Sequence, residues 1–136
     1  MNTLFHIFRF PILVFAANVI LDKAGLYVAL KWIDMPMHFL GGASIAIAGV
    51  SFLAFLKTCG FINELPFLVR AFFIMSFVGL AAVSWELWEF SLDFVFARHF
   101  QTDLFDTMAD MFFGLLGGFV ILMIWTVALS VFRRMR

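Results

Sequence analysis

The chain has 136 residues, 65% of them hydrophobic and 13% charged, with a formal net charge of zero. That is one domain, and its apolar fraction lies far above the ~45–50% of a soluble domain, so the composition describes an integral membrane protein. Charge neutrality gives no reason to expect a nucleic-acid partner, and the lone Cys59 excludes an internal disulfide framework and a thiolate-rich zinc site.

The first apolar segment runs from about Leu4 to Leu21, with Arg9 and Pro11 near its start. It is long enough to cross a ~30 Å hydrocarbon core, which takes ~20 helical residues. It lacks a small-residue cleavage site and further membrane segments follow it, so no secretory signal is expected. Asp22-Lys-Ala-Gly25 closes this span. Leu26 to Ile33 reads as an extra turn or an interfacial piece, because Lys31 and Trp32 suit the headgroup level. The second span runs from about Met37 to Leu56, between Pro36 and Lys57. A polar connection leads to Pro66, which starts a third span from about Phe67 through Glu89. Ser91 to Thr102 reads as a Phe-rich loop or interfacial helix carrying Arg98 and His99. The fourth span runs from about Asp106 to Phe132. The expected fold is therefore an all-α, polytopic transmembrane helix bundle of about four spans (4–21, 37–56, 67–89 and 106–132) plus a short interfacial helix.

Charge asymmetry orients such a bundle. Arg9, Lys57, Arg70, Arg133, Arg134 and Arg136 fall on one side, and Lys23, Lys31 and Arg98 on the other. The positive-inside rule then places both termini in the cytoplasm. Every acid except Glu64 falls on the outer side.

Those acids are grouped. Glu86, Glu89 and Asp93 are spaced i, i+3, i+7, and so are Asp103, Asp106 and Asp110. On a helix each trio shares one stripe, where like charges repel. Acids in the first turn of a helix complement its macrodipole, which accounts for Asp103 as a cap and for Asp106. It does not account for Asp110, two turns in and followed by Met111-Phe112-Phe113, where a charge has to face protein rather than lipid. Snorkelling beside Trp85 and Trp88 would explain one glutamate more readily than two. Asp34 suits an N-cap, whereas His38 lies one turn farther in, before Gly41 and Gly42. By rise per residue, Glu86 is roughly 30 Å from Pro66, so the polar groups meet at or about one turn below the outer interface. Small residues (Gly41, Gly42, Ala46 and Gly49 in the second span; Gly114, Gly117 and Gly118 in the fourth) would let the backbones approach closely there.

The segments His38-x-x-Gly-Gly42, Trp85-Glu-x-x-Glu89 and Asp106-Thr-x-x-Asp110-x-x-x-Gly114-x-x-Gly-Gly118 resemble the bacterial YjdF-like inner-membrane proteins, and more loosely the VanZ-like family. VanZ-like proteins commonly carry Gln after the glutamate motif and Asn in the last one, where Glu89 and Asp110 stand here. The resemblance implies a small polytopic bacterial protein and supplies no established reaction.

Three readings follow. In the first, His38, Glu86, Glu89, Asp106 and Asp110 hold a divalent metal (Mg, Mn, Ca or Zn), with Asp34, Asp93, Asp103, Arg98 and His99 in support, and the site acts on a lipid-linked or envelope substrate. In the second, the cluster carries protons or cations for transport, although Arg70 and Ser51 are nearly the only polar groups across the other half of the spans. In the third, the chain is an accessory subunit with a membrane-protein partner. The bilayer surrounds the protein in all three.

Overall fold

The computed structural model describes residues 3–97, 100–101 and 103–134. In chain order these form α1 (Thr3–Lys23), α2 (Leu26–Ala29), a 3-10 turn (Lys31–Ile33), α3 (Asp34–Thr58), α4 (Phe67–Phe96) and α5 (Leu104–Arg134). There is no strand among the described residues. Four segments are long and apolar enough to cross a membrane: Thr3–Lys23, Lys31–Thr58, Phe67–Phe96 and Leu104–Ala128. The four expected spans are present, and the interfacial piece after the first is α2 with its 3-10 turn.

The boundaries differ from expectation at two places. The third span does not end near Glu89. Ser91-Leu-Asp-Phe-Val-Phe96 contains no Gly or Pro to stop a helix, and α4 continues through it. Ala97 ends the helix in a left-handed conformation (φ 50°), its N–H donating to the Asp93 carbonyl at 2.9 Å. At the start of the second span Asp34 is not the cap. Ile33 is already right-handed helical, the 3-10 turn feeds straight into α3, and the Asp34 carboxylate turns to His38 instead.

Elsewhere the termini obey local chemistry. Asp103 Oδ1 accepts the Asp106 N–H at 2.9 Å and caps α5. Asp103→Ala should therefore cost about 1 kcal/mol, seen as a lowered unfolding midpoint in detergent. The far end of α3 closes with the paired bonds Phe61 N–H to Leu56 O and Gly60 N–H to Lys57 O, which need the left-handed φ of 75° at Gly60.

α3 is the centre of the bundle, with α1, α4 and α5 packed around it. Its closest partner is α5. A Cβ on Gly42 would lie 1.8 Å from the Gly114 carbonyl oxygen, and one on Gly117 would lie 2.0 Å from that of Phe39. The two backbones thus touch where side chains would otherwise separate them. Farther along, Ala46, Leu53, Ile74, Val78 and Leu122 form the buried apolar core. The hydroxyls of Ser44, Ser51, Ser84, Ser91 and Thr126 each donate to a carbonyl of their own helix, which satisfies them without water. Leu68, Phe72, Leu80 and Phe94 point outward, as a lipid-facing surface requires. At the end of the bundle that carries the α3–α4 connection, Lys57 pairs with Glu64 and the Arg70 guanidinium sits 5.1 Å from the Trp125 ring centroid. The opposite end gathers the acids.

Candidate metal centre

His38 is the hub of that end. The α3–α5 backbone contact at Gly42 and Gly114 lies one turn below it and draws the start of α5 against the start of α3. The end of α4 closes the third side. His38 Nδ1 faces Glu86 Oε1 at 3.8 Å, while Nε2 faces Asp34 Oδ1 at 3.4 Å and Asp110 Oδ2 at 3.8 Å. The Glu86 and Asp110 side chains are only 6% and 4% exposed. Glu86 therefore does not snorkel to the interface, and Asp110 faces protein as its apolar neighbours require.

Glu86, Glu89 and Asp93, all on α4, have further partners of their own. Gln101 donates its side-chain amide to Glu86 Oε2 and to the Glu86 carbonyl, both at 3.1 Å. Glu86 Oε1 is buried with no hydrogen-bond partner among the described residues. Glu89 Oε1 accepts from the Trp85 indole at 2.8 Å. Asp93 accepts the N–H groups of Phe100 and Gln101, at 2.8 and 2.9 Å. It thus folds the chain after α4 back over the site and delivers Gln101 to Glu86. Of the two trios read as stripes, then, Glu86 and Glu89 face His38, Asp93 builds the loop, Asp103 caps α5, and Asp110 enters the site. Arg98 and His99 lie outside the described residues.

Donor atoms converge in two sets, each within 4.8 Å: Asp34, His38 and Asp110, and His38, Glu86 and Glu89. Two ligands on opposite sides of an ion, each at about 2.4 Å, stand roughly 4.8 Å apart, so the donors of either set lie within reach of one cation. Asp106 belongs to neither set, and Asp34 joins one of them.

Two groups near the site, Gln101 and Tyr27, are hard to find by reading the sequence. Gln101 is an isolated amide in a connection. Tyr27 donates its hydroxyl to Asn18 Oδ1, tying α2 to α1. Burial pushes the Tyr27 phenol up, and the nearby Asp34 and Glu89 carboxylates push it further, so it stays a protonated donor. Of the two, only Tyr27 gives a sequence signal, as the single tyrosine in a chain with 21 phenylalanines.

A family model described as "Predicted membrane protein (DUF2238)" matches residues 2–130. The chain belongs to the DUF2238 family. The YjdF-like proteins fall within this family, which bears out that resemblance, and no family match supports the looser VanZ-like one. No curated protein and no solved structure matches the chain. In this DUF2238 member the clustered groups come from the three helices that the shared glycines and the α4 end hold together.

Proposed function

We propose that this protein binds one divalent cation through His38 Nδ1, Glu86 and Glu89, at the outer face of a bacterial inner membrane with both termini in the cytoplasm. The carrying observation is Glu86 Oε1, a buried acceptor without a hydrogen-bond partner among the described residues, which faces an imidazole nitrogen across 3.8 Å. A buried carboxylate oxygen left unpaired is costly, and a cation between it and His38 removes that cost.

The chemistry of imidazole chooses between the two donor sets. A neutral ring has one lone pair and one N–H, so it serves one ion at a time. Nε2 has Asp34 Oδ1 at 3.4 Å, which makes it the protonated nitrogen and Asp34 its acceptor, with the Asp110 carboxylate adding negative charge beside it at 3.8 Å. Nδ1 is left to bind the ion together with the glutamates. The aspartates orient the ring and raise its basicity, as outer partners of metal-bound histidines do. One nitrogen and two carboxylates suit zinc or manganese, and three protein ligands leave open positions on the ion. Those positions are suited to water or to a phosphate oxygen of a lipid-linked substrate.

Two variants separate the roles in a Mn(II) titration of detergent-purified protein. Glu89→Gln should abolish binding, whereas Asp34→Asn should weaken it roughly 10–100-fold, as loss of an outer partner does. The reverse order would move the ion to the aspartate side of the ring and overturn this assignment.

A further inference from the structure

Directly below the cluster, toward mid-membrane, lies a cleft of about 250 Å³ between α1, α3 and α4. It exceeds the ~150 Å³ of a cavity that holds benzene. Its walls are mainly apolar, including Val14, Ile45, Val78 and Ala82, with His38, Asn18 and Ser44 as the polar part of the lining. His38 is thus shared between the cleft and the cation cluster. α1 packs on α3, and the ring of Phe15 on α1 meets that of Trp85 on α4 edge-on with centroids 6.1 Å apart. Phe15 is itself 53% exposed, so this ring pair lies at the lipid-facing rim of the cleft.

We propose that the cleft receives the hydrocarbon chain of a membrane amphiphile whose phosphate headgroup reaches the ion beside His38. An apolar slot that opens toward lipid and is bounded by His38 of the proposed cation site is complementary to a chain joined to an anionic head. The headgroup end rests on the cation reading above, and the chain end rests on the cleft alone. Gly41 marks the path of the chain. It lines the cleft, and a Cβ built on it meets nothing within 4 Å, unlike Gly42 beside it. Space that a helix interface would normally close has been kept open there.

The test uses dodecyl phosphate bearing a diazirine on its chain, irradiated with the full-length protein loaded with Mn(II), with the adducts mapped by mass spectrometry. Labelling should concentrate on the α1, α3 and α4 residues of the cleft. Excess unlabelled dodecyl phosphate should remove it, and equal inorganic phosphate should not. Gly41→Leu and, independently, Ala81→Leu should each lower cleft labelling by roughly tenfold or more while Mn(II) content stays at the wild-type level. Labelling spread over outward residues such as Phe72 and Phe94, or undiminished in both variants, would overturn the chain site even with Mn(II) bound. Confined labelling in protein that takes up no Mn(II) would uphold the chain site and overturn the cation reading instead.

Discussion

Replacing Gly42 by alanine should destabilise the bundle by about 3 kcal/mol or more, the upper end of what overpacking a core costs. Helix propensity alone predicts the opposite, a gain of about 1 kcal/mol from Gly to Ala in a helix interior. The loss comes from the backbone of α5, because the new methyl would fall 1.8 Å from the Gly114 carbonyl oxygen and 2.9 Å from its Cα. Neither atom can turn aside as a side chain can, so the two helices have to separate. Separation also spoils the site, since the same contact sets the reach between His38 and Asp110. The control is the neighbouring residue: Gly41→Ala makes the same chemical change toward open space and should shift stability by no more than about 1 kcal/mol. Thermal or denaturant unfolding of both variants in one detergent reads the contrast. Equal midpoints would show that α3 and α5 do not pack backbone to backbone.

The second large effect is on binding. His38→Ala removes the one group that touches Glu86 on one side and Asp34 and Asp110 on the other. Losing an outer partner of a metal ligand typically costs roughly 10–100-fold in affinity, and losing the ligand itself should exceed that, so Mn(II) binding should fall by more than about 100-fold. Asp106→Asn should leave binding close to wild type, because its carboxylate is in neither donor set. The pair distinguishes a coordinated ion from diffuse attraction to an acidic end of the bundle, for which every acid would matter about equally.

The number of spans, their order and the end of the bundle that carries the acids were all legible in the chain. Apolar runs of membrane length, the placement of Pro36 and Pro66, and the segregation of charge are local signals. The glycines of the second and fourth spans also announced a close contact, and Gly42, Gly114 and Gly117 make it. What stayed hidden depends on side-chain direction. A stripe of i, i+3, i+7 acids looks like one unit in sequence, yet Glu86 turns inward while Asp93, two turns later, has passed the bundle and binds the returning chain. Asp34 resembled a cap because nothing in the sequence shows that a 3-10 turn already supplies helical geometry before it. Gln101 reaches Glu86, and Tyr27 reaches Asn18 on α1, through tertiary folding of short connections, which leaves no periodic trace.

The most direct test of a cation held by His38, Glu86 and Glu89 is elemental analysis of detergent-purified protein, wild type beside Glu86→Gln, after incubation with Mn(II) or Zn(II) and removal of free ion. The substitution keeps the size of the side chain and the acceptor that Gln101 can bind, and it removes the charge facing His38. Near-stoichiometric metal in the wild type and its loss in the variant is the predicted result. Metal in neither protein, or equal metal in both, would contradict it.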